Sequence, residues 1–140
     1  MALAQVGACF GNEPFVFGQQ DLYFNPLHGR SEDGFWHKDL LKAQPIHEWP
    51  DARDTETGPS LHVQEALLPS DHLEIVPGSH RRDYSAVEAG ICLPYPNGPN
   101  IRSNAMPGGC TAVLAPGDAL IFSATAIHRG RYHADSPRRT

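Results

Sequence analysis

The chain has 140 residues, 40% of them apolar, and a formal charge of −5. That length holds one domain with a sizeable core, and the composition excludes a chain that is disordered throughout. A generally acidic chain also lacks the basic stripe that nucleic-acid binding requires.

Gly and Pro number 13 each and are scattered along the chain, which favours many short strands joined by turns over a helical bundle. Met1 to Phe10 shows neither a basic leader nor a long apolar run, so no signal peptide and no membrane span is expected. Pro14 to Asn25 is aromatic and β-branched, and predicts a strand with a bulge at Gly18. Pro26 to Gly34 is a turn region, and Phe35 to Leu41 follows as a second strand.

Lys42 to Pro59 predicts a long loop. Loops of that length in compact domains serve as lids or substrate surfaces, which makes His47 and Trp49 candidates for lining a pocket, although loop packing is the plainer reading. Strands are expected at Leu61 to Leu68 and His72 to Val76. A tight turn at Pro77 to His80 leads into a helical turn at Asp83 to Ala89. Cys92 to Gly109 is a second long connection, with a turn signal at Asn97-Gly98. Thr111 to Leu114 is a strand and Ala115 to Asp118 a turn. Ala119 to Ala124 is a nearly continuous apolar run, as expected of a central strand covered on both faces. About seven short strands without a long helix suggest a β-sandwich or jelly roll.

Two compositional features bear on function. From Arg129 to Thr140 there are four Arg against one acid, a tail that is either solvated or able to hold a small anion. The three cysteines, Cys9, Cys92 and Cys110, form no CxxC pair and no disulfide framework. They are expected as small buried or half-buried thiols in a reducing, cytoplasmic setting.

The chemistry centres on Gly34-Phe35-Trp36-His37-Lys38-Asp39. In an extended backbone His37 and Asp39 share a face and Lys38 turns away. Two His and one carboxylate form the facial set that leaves positions open on non-haem Fe(II). Eight His and nine Asp make about half of one His-x-Asp triplet expected by chance, and the chain has two, so the triplet alone says little. Context favours His37 and Asp39 over His133 and Asp135. A candidate third ligand, His128, follows the most core-like strand, whereas no His follows His133. His28, His62, His72 and His80 are expected as surface or hydrogen-bonded side chains, with His62 also able to sit in the core. Beyond His128, Arg138 and Arg139 offer the bidentate guanidinium that a cosubstrate carboxylate needs.

Several blocks together resemble the phytanoyl-CoA dioxygenase family of Fe(II)/2-oxoglutarate-dependent oxygenases. They are Phe35 to Asp39, Glu74-Ile75-Val76-Pro77-Gly78-Ser79-His80, Ala115 to Phe122, Ile127 to Gly130, and Pro137-Arg138-Arg139. The resemblance implies a mainly β fold, a double-stranded β-helix or jelly roll, with iron held by His37, Asp39 and His128. It implies that an Arg after the distal His pairs with 2-oxoglutarate. Family spacing points to Arg139 and a preceding Pro points to Arg138, and strand alternation lets only one face inward. The implied reaction couples decarboxylation of 2-oxoglutarate to succinate with O2-dependent hydroxylation of a small organic substrate. Asp39 favours hydroxylation, since halogenating relatives lack that carboxylate.

The family's members are longer. Only about 36 residues precede His37, and the chain stops where the Arg-bearing strand begins. The expectation is therefore a single oxygenase-core domain, 1–140, truncated at both ends. Two other readings accompany it: a cupin-like jelly roll that binds a metal or ligand without oxidation, and an inactive oxygenase fragment. None of the readings involves nucleic acid or a membrane.

Overall fold

The computed structural model describes residues 2–9, 11, 31–39, 61–93, 100–102 and 105–132. The expected strand at 14–25 and loop at 42–59 lie outside them, as do His28, His47, Trp49, His133, Asp135, Arg138 and Arg139.

Among the described residues, two short α-helices, α1 (Ala2–Cys9) and α2 (Ala86–Cys92), accompany six strands. The strands are β1 (Glu32–Asp33), β2 (Leu61–Glu65), β3 (Ser70–Ile75), β4 (Cys110–Leu114), β5 (Ala119–Ser123) and β6 (His128–Tyr132). They form a four-stranded sheet in the order β1-β6-β3-β4 and a two-stranded sheet of β2 with β5. Every pairing is antiparallel. The fold is β-rich, and among the described residues no helix is long and apolar enough to cross a membrane.

β6 is the strand on which the larger sheet turns. On one side it pairs with β1, Asp33 opposite Arg131. On the other it pairs with β3, Glu74 opposite Arg129 and Ile75 opposite His128. Directly opposed residues put their side chains on one face, and the charges follow that rule. Arg129 Nε donates to Glu74 Oε2 at 2.5 Å, and Arg131 Nε donates to Asp33 Oδ1 at 2.9 Å. Arg131 Nη1 also reaches Glu74 Oε1 at 3.3 Å. The expectation of a solvated or anion-holding tail therefore fails for these two arginines. Arg129 is 1% exposed, and strand pairing brings it acids from far along the chain.

The core collects Trp36, Val76, Ile91, Cys92, Met106 and Ile127, with Tyr84 packed against them. Arg129 stacks its guanidinium over Trp36 at 4.6 Å, a cation–π contact that lets a buried charge share an apolar surface. Gly109 lies where a Cβ would come within 3.3 Å of Trp36, so a small residue suits that wall.

Several expectations need correction. The described part of the strand expected at Phe35 to Leu41, Phe35 to Asp39, is not regular. The chain makes the two-residue β1 earlier, inside the expected turn region, and then a single bridge at His37. The ladder breaks because Trp36 gives its N–H to Ile101 O, at 2.9 Å, instead of to β6. The residues of β5 are exposed or half-buried rather than covered on both faces, so a continuous apolar run was no sign of double coverage here; among the described residues its ladder partner is β2. Cys92 is buried, its thiol pushed up to about 12 by burial, but Cys9 and Cys110 are exposed. α1 was not anticipated.

The helical turn expected at Asp83 to Ala89 is α2, displaced toward the C-terminus by its cap. Ser85 Oγ accepts from Glu88 N, and Glu88 Oε2 accepts from Ser85 N at 2.7 Å, a reciprocal capping box. Arg82 grips the same carboxylate with both Nη atoms, at 2.6 and 2.7 Å. The Arg82 bond outweighs the upward pull of burial, and with Ser85 it holds the Glu88 carboxyl at about 2. A depressed carboxyl contributes stability above its unfolded value and loses it as pH falls toward the folded one. Glu88→Gln should therefore cost about 1–3 kcal/mol at pH 7. The gap between variant and wild type should close from about pH 5 toward pH 2, as read by urea unfolding at each pH.

Candidate metal centre

The pairing of β1 and the segment after it with β6 determines the site. Asp33 faces Arg131, and His37 faces His128. Three residues separate Asp33 from His37, but only two separate Arg131 from His128. The extra residue in Gly34–Trp36 works like a bulge, and a one-residue slip moves every following side chain to the other face. His37 and Asp39 are carried onto the face of His128, while Trp36 goes to the face of Arg129. Gly34 makes the shift possible. Its N–H donates to Gly130 O at 2.8 Å, and a Cβ there would lie 2.6 Å from that oxygen.

Past the shift, His37 and His128 exchange backbone bonds in both directions, each 3.0 Å, and Asp39 N donates to Ala124 O at 3.0 Å. The two imidazoles sit 4.5 Å apart between centroids. One ligand atom from each of His37, Asp39 and His128 lies within 4.8 Å of the others. The structure thus brings together all three residues expected as ligands, from positions 91 residues apart. It places no side chain for Arg138 or Arg139, which lie outside the described residues.

Lys38 is turned away, as alternation requires. It is 2% exposed, and its ammonium donates to Ser79 O at 2.8 Å and Arg82 O at 3.1 Å. Ser79 is equally buried. Its Oγ donates to Val76 O at 2.7 Å and accepts from Ile127 N at 2.8 Å, one residue before His128. The turn at Pro77 to Arg82 therefore braces both ligand-bearing segments from behind.

The hydrogen bonds also assign the imidazole protons. Carbonyl oxygens only accept, so His37 Nδ1 donates to Phe35 O at 2.7 Å and His128 Nδ1 donates to Ala126 O at 2.9 Å. Each ring then directs Nε2 at Asp39: His37 Nε2 to Oδ1 at 3.0 Å, His128 Nε2 to Oδ2 at 3.5 Å. Burial pulls the Asp39 carboxyl up, but bonds from His37 and His62 hold it well below the usual carboxylate range. Burial pulls His37 down, yet the bonds to Asp39 and Phe35 O raise it above its ordinary value. Burial and the neighbouring His37 push His128 down to about 4, against the bond to Ala126 O.

A neutral His128 with its proton on Nδ1 turns a lone pair toward a carboxylate oxygen. A lone pair and a carboxylate converging in a half-buried site are reconciled by a cation that both can bind. A ring nitrogen bonded to a backbone carbonyl is also the usual outer support of a metal-bound imidazole. The donor set therefore fits a divalent ion taken by two nitrogens and a carboxylate.

The sequence reading missed one residue of this cluster. His62, on β2, brings Nε2 to 2.6 Å from Asp39 Oδ2 and stacks on Phe122, its cross-strand partner, at 5.1 Å. It is a hydrogen-bonded side chain, as expected, and not a core one, but its partner, a triad carboxylate, was not anticipated. No local signal marked it, because the contact depends on how the β2–β5 pair lies against the triad. His72 is fully buried on β3, with Nδ1 3.6 Å from Asp71 Oδ1, and His80 accepts from Arg81 at 3.2 Å.

No protein-family profile, curated protein or solved structure matches the chain.

If the triad holds the ion, His37→Ala, Asp39→Ala and His128→Ala should each weaken Co(II) binding. The loss should exceed the roughly 10–100-fold typical of an outer hydrogen-bond partner. Absorbance-monitored Co(II) titration of the purified variants measures it.

Proposed function

We propose that the chain is an Fe(II)/2-oxoglutarate-dependent oxygenase that hydroxylates a small organic substrate on a jelly-roll scaffold. One observation carries this reading: the convergence of two imidazoles and one carboxylate within 4.8 Å, on a β-rich frame. Two His and one carboxylate on one face are the ligand set of non-haem Fe(II) oxygenases, and they leave coordination positions open to cosubstrate and O2. The order of the sequence blocks from Phe35 to Arg139 supports the same family.

Fe(II) with 2-oxoglutarate supplies the oxidising chemistry when bound. His37, Asp39 and His128 supply the ligand atoms and hold them in place through their bonds to Phe35, Ala126 and His62. Asp39 occupies the position that halogenating relatives leave open, which favours hydroxylation. Arg138 or Arg139 binds the distal carboxylate of 2-oxoglutarate through a paired hydrogen bond. A reducing cytoplasmic compartment suits the three free thiols.

Anaerobic addition of Fe(II) and 2-oxoglutarate should give a weak visible charge-transfer band that needs both components. Admission of O2 should then yield succinate. Metal binding indifferent to 2-oxoglutarate would instead favour the cupin-like reading, and binding without succinate the inactive fragment. His37→Ala and Asp39→Ala should abolish turnover while His133→Ala leaves it intact. Equal loss in all three would assign the site to the wrong His-x-Asp triplet. Of Arg138→Ala and Arg139→Ala, only one should raise the 2-oxoglutarate concentration needed for half-maximal succinate formation.

A further inference from the structure

We infer that His62 is a positioning residue of the metal centre: it holds one oxygen of Asp39 so that the carboxylate offers an ion the other. The inference rests on the proposed metal site but adds a residue that neither the His-x-Asp motif nor the family resemblance includes.

The geometry points one way. His62 Nε2 lies 2.6 Å from Asp39 Oδ2, while His37 Nε2 lies 3.0 Å from Oδ1. A carboxylate only accepts, so the His62 proton stands between Nε2 and Oδ2. The His62 ring is held against its neighbour on β5. It stacks on Phe122 with 22° between planes, and Phe122 in turn meets the His128 ring edge-on at 5.1 Å. His62 and Phe122 are direct cross-strand partners on β2 and β5, so this arrangement is built into the strand register. His62 itself lies 5.7 Å from His128 between centroids. The β2–β5 pair thus carries a hydrogen-bond donor to the open side of Asp39, opposite the turn that braces Lys38.

A carboxylate held at one oxygen binds an ion through the other. That keeps it a one-point ligand and preserves the open positions on which oxygenase chemistry depends. Without the donor, the carboxylate is free to rotate or to bind through both oxygens.

The test uses the metal-free protein and Co(II) alone. His62 is half-exposed, so substitution there leaves the core intact. His62→Leu keeps apolar contact with Phe122 but removes the donor, and should weaken Co(II) binding by about 10–100-fold. His62→Gln places an amide N–H near the position of Nε2 and should recover most of that loss. The thermal midpoint of the metal-free protein should be the same for all three forms. Wild-type affinity in His62→Leu would overturn the inference. So would a His62→Gln variant no better than His62→Leu, because a merely structural role gives no such rescue. A loss in His62→Leu as large as in His37→Ala would make His62 a ligand and overturn the positioning role. If the wild-type chain takes up no Co(II), the metal centre itself falls and this inference with it, a result distinct from any difference among His62 variants.

Discussion

Two backbone hydrogen bonds, His37 N–H to His128 O and His128 N–H to His37 O, are the joint on which the rest depends. They put two imidazoles directly opposite each other on one face. The single extra residue at Gly34–Trp36 decides which face that is. Without the register shift that absorbs it, His37 would fall opposite Ile127 and share the face of Arg129. With it, the segment divides its side chains cleanly. His37 and Asp39 go to the face that gathers polar donors, and Trp36 and Lys38 go to the side that is buried. The close approach of Gly34 to Gly130 is the steric condition for this division.

The buried side carries two cations, Lys38 and Arg129, each 2% exposed or less. Such groups are costly to bury without partners, and removing one partner of a buried ion pair typically costs about 3–5 kcal/mol. Here Glu74 and the Trp36 ring serve Arg129, and the carbonyls of Ser79 and Arg82 serve Lys38. These contacts contribute little net stability compared with apolar packing. They confine the segment to one register, because a slip would strand Lys38 and take the Trp36 ring from Arg129. The rigidity of the ligand face comes from electrostatic demands on the opposite face.

Part of this was legible in the sequence. The strands β2 to β5 were found within a residue or two at most of their ends, as alternation and turn residues allow. The triad was found because bulky apolar residues lead into His37 and an apolar strand leads toward His128. The rest depended on contacts that no window of sequence contains. β1 was hidden in a stretch with the composition of a turn, since a two-residue strand has no period to detect. The arginine-rich tail looked solvated because Glu74 and Asp33 are distant in sequence. The displacement of α2 was legible in principle, through Ser85 and Glu88 at capping-box spacing. His62 was not, because a histidine among alternating residues looks the same whether or not a carboxylate waits across the sheet.

The distance along the chain between the paired histidines also sets an order of assembly. His37, Asp39 and His62 are synthesised well before β6, and β6 alone brings His128. Pairing β6 with β1 closes the longest loop in the described sheet, and long-range strand pairing is slow to form. Until β6 is made and docked, the nascent chain holds only part of the cluster, and the three side chains converge only when that strand has paired.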